Sequence, residues 1–131
     1  MRMIEREGLE NVYARHARLC RATRAAASAL GLKLLAPDSP SPAATGVYLP
    51  AGVDADKLLE YLRDKMNVVL AEGQDQLKGK VIRIAHIGYM GAFDVITALA
   101  ALEMALRKFG VEIPFGKGVA AAEEVLLEAL N

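Results

Sequence analysis

One face of the first thirty residues carries Ile4, Leu9, Val12, His16, Leu19, Thr23 and Ala26, at steps of mostly three and four. That spacing predicts one long helix from about Ile4 to Leu30. Gly8 is its weak point, and Gly31 suits the place just past its end, where glycine takes positive φ at little cost. "LKLLA" then reads as a short strand. "PDSPSPA" contains three prolines, which forbid regular structure and mark a loop. "TGVYLP" is extended again. Asp54 is placed to cap the helix "ADKLLEYLRDKM", whose apolar stripe is Leu58, Leu59, Leu62 and Met66.

"NVVLAEG" predicts a third strand and "VIRIAHI" a fourth, joined across "GQDQLKGK" as an antiparallel hairpin with a long loop. "GAFDVITALAALEMALRKF" is a strongly apolar helix ending at Gly110. With only Asp94, Thr97, Glu103, Arg107 and Lys108 polar along it, it should be covered on more than one side. "FGKG" turns the chain into a last short helix, "VAAAEEVLLEAL". The order helix, strand, strand, helix, strand, strand, helix, helix predicts an α+β fold: a small, mainly antiparallel sheet with helices packed on one face.

Length and composition refine this picture. The 131 residues form one domain, 1–131, large enough for a core without metal or disulfide support. Hydrophobic residues make up 53% but aromatics only 5%, so the core is built from Ala, Leu, Val and Ile. A formal net charge of zero supplies no general attraction to nucleic acid or to an anionic membrane, and neither partner is expected. Cys20 is the single cysteine, no apolar run spans a bilayer, and "MRMIEREGLE" lacks a signal-peptide core. A cytoplasmic location is the expectation.

Few constellations suggest chemistry. His16 and His86 are the only histidines, and no paired Cys or HExxH accompanies them, so no metal site is expected. Cys20 lies among apolar neighbours on a helix and reads as a small buried hydrophobe. "FGKGVA" lacks the spacing of a phosphate loop. Arg15, Arg18, Arg21 and Arg24 form a basic stripe that reads as a solvated face with stems lying on apolar surface. An interaction protein working through that stripe is the alternative.

Arg83 is different. Alternation along a strand puts Val81, Arg83, Ala85 and Ile87 on one face and Ile82, Ile84 and His86 on the other. A charge on an otherwise apolar face needs a recipient. Either an acid such as Glu72 on the neighbouring strand pairs with it, or the guanidinium is a planar fork for a ligand's carboxylate, held rigid by the strand.

"LKGKVIRIAHIGYMG" resembles the C-terminal "LKGKxxRIxHxG" signature of class-V aminotransferases, which are pyridoxal-phosphate enzymes of fold type I. The nearest group is similar to alanine– or serine–glyoxylate aminotransferases, whose relatives include proteins called soluble hydrogenase small subunit. "EGLENVYARHARLCRATRAAASALGLKLL" resembles the long helix entering that family's small domain. "SPAATGVYLPAGVDADKLLEYLRDKMNVVLAEGQDQ" resembles the strand, helix and strand that follow. The likeness runs in order along nearly the whole chain.

The resemblance implies that Arg83 holds the α-carboxylate of an amino or keto acid substrate over the cofactor. His86 matches the motif histidine and has no assigned role. Where "GGQG" is usual this chain reads "EGQD", so Glu72 and Asp75 bear on specificity. Pyridoxal phosphate is bound, in such enzymes, through a lysine of a large N-terminal domain, and none of the seven lysines here lies in a resembling sequence. The chain is therefore expected to be the small domain alone. That domain would be inactive by itself, with no cofactor bound to it, its large partner domain missing, and a homo-oligomer its expected state. A free-standing, non-catalytic module for small carboxylates is the alternative.

Overall fold

A computed structural model of the chain describes residues 8–35, 44–72, 79–85 and 92–128. Helix α1 runs from Leu9 to Ala29. Gly8 precedes it at φ 86°, a conformation that a right-handed helix cannot pass through. The helix therefore does not continue unbroken from Ile4, and residues 1–7 lie outside the described region. At the other end Gly31, at φ 78°, follows a last turn closed by Leu30 N–H donating to the Ala26 carbonyl. Thr23 is fully buried on α1, and its hydroxyl donates to the Leu19 carbonyl at 2.8 Å, so the core takes it at no polar cost.

Strands β1 (Lys33–Leu34) and β2 (Ala44–Tyr48) follow, then helix α2 (Ala55–Met66). The proline-rich "PDSPSPA" falls outside the described residues. Asp54 caps α2 as its sequence suggests, its carboxylate accepting from Asp56 N–H at 2.9 Å. Leu58 and Leu62 are fully buried beneath it, each contributing about 2–3 kcal/mol of apolar burial. Asn67 ends the helix in the left-handed region at φ 56°, and Val68 N–H returns to the Leu62 carbonyl.

That turn shortens the third strand. Among the described residues of "NVVLAEG", Ala71–Glu72 forms β3, and Asn67 and Val68 are used in closing α2. β4 covers Val81–Ala85, and His86 and Ile87 lie outside the described residues. Helix α3 spans Ala92–Lys108 and α4 spans Lys117–Leu127. Between them Arg107 stacks 4.0 Å above the Phe115 ring and donates to the Ile113 carbonyl at 2.6 Å, bracing the connection.

The strands form one four-stranded sheet in the order β1-β2-β4-β3, with every described pairing antiparallel. β3 and β4 pair as the predicted hairpin. Val47, Ile82 and Ile84 join buried side chains from all four helices in a single core, which puts the helices on one face of the sheet. α3 is covered on more than one side: Val95, Leu99, Leu102 and Leu106 are buried, and α1, α2 and α4 all pack on it. The fold is the expected α+β layer arrangement.

Candidate functional site on the sheet

Alternation in β2 and β4 sends Thr45, Val47, Ile82 and Ile84 into the core, where all four are nearly or fully buried. Gly46, Tyr48, Val81 and Arg83 stand on the opposite face, where Val81 is fully buried and the other three are half-buried. Arg83 thus occupies the middle of a central strand, on the face away from the helices, and is half-buried. The backbone register places Gly46 opposite it on β2 and Ala71 opposite it on β3. Both residues directly opposite it, glycine and alanine, are small. Further along that face Lys33 lies 5.4 Å from the centre of the Tyr48 ring.

The same register bears on the proposed ion pair within the sheet. It sets Glu72 opposite Ile82 and Ala71 opposite Arg83. Asp75 and His86 lie outside the described residues.

A cleft of about 410 Å³ lies at the other side of β4. It is lined by Asn67 to Ala71, Ile84, Asp94, Thr97 and Ala98, and Arg83 is not part of it. The six described lysines are all exposed, so none offers the enclosed, desolvated amine that would hold a carbonyl cofactor. The described residues of this chain do not themselves fit pyridoxal phosphate. Nor, among them, does any group of three or more His, Cys, Asp or Glu converge to hold a metal. No described helix is long and apolar enough to cross a membrane.

Other residues singled out by the sequence take structural places. Cys20 is buried on α1 among apolar neighbours. Arg15, Arg18 and Arg24 are half-buried and Arg21 reaches Glu128 at 3.3 Å, an exposed pair that ties α1 to the end of α4. The "FGKG" turn opens α4, and its anion is supplied from within. Glu103, only 4% exposed, accepts from Gly116 N–H at 2.8 Å, Gly118 N–H at 3.0 Å and Val119 N–H at 3.1 Å. The backbone donors of this turn are filled by a side chain of α3. Nothing in the spacing of "FGKG" pointed to Glu103; its one signal was being an acid in mid-helix among apolar residues.

No protein-family model matches the chain. Individual proteins do. The soluble hydrogenase small subunit of Synechococcus sp. is 45% identical over 131 residues, covering 98% of this chain and 34% of that protein. The serine–glyoxylate aminotransferase of Methylorubrum extorquens is 44% identical over 124 residues, covering 93% of this chain and 31% of that enzyme. Among solved structures, pyridoxamine–pyruvate aminotransferase from Mesorhizobium loti superposes with a TM-score of 0.91 at 36% identity, covering 98% of this chain and 33% of that one. The chain spans about a third of the length of the curated relatives it matches, and the match falls on their C-terminal portion. In sequence and in fold alike, it is similar to the C-terminal small domain of class-V, fold type I aminotransferases.

Proposed function

We propose that the chain serves as the substrate-gripping small domain of a pyridoxal-phosphate aminotransferase, with Arg83 receiving the α-carboxylate of an amino or keto acid. The observation that carries this reading is the position of Arg83. A permanently charged fork stands mid-sheet, half-buried, on the face opposite the helical core, with Gly46 and Ala71 opposite it on the neighbouring strands. Guanidinium and carboxylate match edge to edge, and two parallel charge-assisted hydrogen bonds fix orientation as well as binding. A strand holds such a fork more rigidly than a loop does.

The cofactor supplies the electron sink for amino-group exchange and is held by a larger region N-terminal to this one. What this chain contributes is placement of the substrate. A bound amino acid with its carboxylate fixed at Arg83 can turn only about the remaining bonds, and that loss of freedom lowers the barrier for the chemistry beside it. The chain without that region does not transaminate.

A chimera tests this. The chain is joined to the preceding two thirds of the Methylorubrum serine–glyoxylate aminotransferase, and transamination is measured with the Arg83→Lys and Arg83→Ala variants. Loss of the fork should lower kcat/KM by roughly 30- to 1000-fold, the size of about 2–4 kcal/mol of lost charge-assisted binding. A chimera that is active but indifferent to both substitutions overturns the assignment.

A further inference from the structure

We propose that Leu35, seated in the gap left by Gly46, is a positioning residue for Arg83. It walls one side of the arginine's stem and so sets where the fork meets a carboxylate. The inference builds on the reading of Arg83 above, and its test separates the two.

Gly46 lies directly opposite Arg83. Side chains directly opposite in an antiparallel pair stand about 5 Å apart at Cβ, so residue 46 would ordinarily be the nearest neighbour of Arg83 on this face. Its backbone does not ask for glycine, since Gly46 is not among the residues of positive φ. The demand comes from Leu35. A Cβ at position 46 would lie 3.0 Å from Leu35 Cδ2 and 3.2 Å from Leu35 Cβ, so the leucine occupies the space that any side chain there would need. Leu35 is held in place by its N–H donating to the Gly46 carbonyl at 2.9 Å, which continues the β1–β2 register by one residue.

The consequence for Arg83 follows from the row it shares. Leu34 supplies the core side of this segment, so the Leu35 side chain is not needed there, yet it is half-buried, folded across β2. On the β2 side of Arg83 stands this apolar wall. On the β3 side stands Ala71, a single exposed methyl. An apolar side chain on one side of the stem restricts its rotamers before any ligand arrives. An apolar wall also keeps water from one side of the fork, and charge-assisted hydrogen bonds strengthen as water is excluded.

Side-chain NMR on the 131-residue chain, with acetate as the carboxylate probe, tests the proposal. The Arg83 Nε–Hε signal is identified by its loss in Arg83→Lys. In Leu35→Ala, which removes the wall without adding a clash, that signal should shift, its order parameter should fall, and acetate affinity should drop roughly tenfold. Gly46→Val should perturb the same signal by crowding Leu35. The double variant Gly46→Ala with Leu35→Ala should recover part of the wild-type behaviour, because the new methyl takes over some of the emptied space and only its 3.2 Å approach to the Cβ at position 35 remains. A merely structural role for Leu35 would change the melting midpoint without this reciprocal rescue. An Arg83 signal unchanged in Leu35→Ala overturns the proposal, whether or not Gly46→Val folds. If Leu35→Ala mobilises Arg83 while acetate leaves the wild-type signal untouched, the wall stands and the carboxylate reading falls.

Discussion

Glu103 is a buried acid on α3 that accepts three backbone hydrogen bonds. A carboxylate sealed inside a helical core persists only when its oxygens are filled, and here three backbone N–H groups at the start of α4 fill them. Glu103→Ala should cost about 3 kcal/mol by leaving those donors buried without an acceptor, and Glu103→Gln should cost less because one oxygen remains. Urea midpoints read both, and a wild-type midpoint in Glu103→Ala would contradict the arrangement. Gly118 belongs to the same contact. A Cβ there would lie 2.8 Å from Glu103 Oε1 and 2.9 Å from the Leu30 side chain. Gly118→Ala should therefore lower stability by about 2 kcal/mol through crowding, although alanine is the better helix former. At this scale the sequence was uneven. Period-two alternation was enough to set Arg83 apart from Ile82 and Ile84. Glu103 pairs with backbone donors thirteen or more residues away, and no periodicity encodes that.

The helices and strands were largely legible because each apolar stripe had one core to face. α2 is the clearest instance: Asp54 at its start and Leu58 and Leu62 along one side were all visible as pattern, and all take the expected places. Asp54→Ala should cost about 1 kcal/mol and increase amide exchange in the first turn of α2. Unchanged protection there would show that the cap contributes nothing. The end of the same helix was harder to read. "NVVLAEG" is apolar enough to be a full strand, yet the left-handed turn at Asn67 takes its first residues away from the sheet. Asn67→Gly should be neutral or stabilising and Asn67→Val destabilising by about 1–2 kcal/mol, since a branched side chain resists positive φ. The partnership of Leu35 with Gly46 was invisible for a related reason: strand register depends on pairing, and a pattern of apolar positions does not specify which residues sit opposite one another.

For the molecule as a whole, the notable surface is at the β3 edge of the sheet. Val69 is 77% exposed and lines the 410 Å³ cleft, while Phe93 is 81% exposed beside Asp94, another lining residue. Apolar side chains gathered at a cleft associate more readily than the same residues scattered. The chain should self-associate, and Val69→Ser with Phe93→Ser should weaken that association by tenfold or so, as about 1–2 kcal/mol of apolar burial is removed. Sedimentation velocity across a concentration series decides it; a monomer at every concentration in the wild-type chain would count against an exposed docking surface. What the whole molecule adds to Arg83 is rigidity. Four helices packed on one side of a four-stranded sheet hold the central strand that carries Arg83.

The role of that fork is tested most directly by comparing an amino acid with the amine that lacks its carboxylate. In the active chimera, kcat/KM for both would be measured with Arg83 intact and in Arg83→Ala. The account predicts that the intact enzyme favours the amino acid by about a hundredfold or more, and that Arg83→Ala erases the preference by losing the amino acid while leaving the amine nearly unchanged. Equal losses for both substrates, with the preference retained, would contradict it.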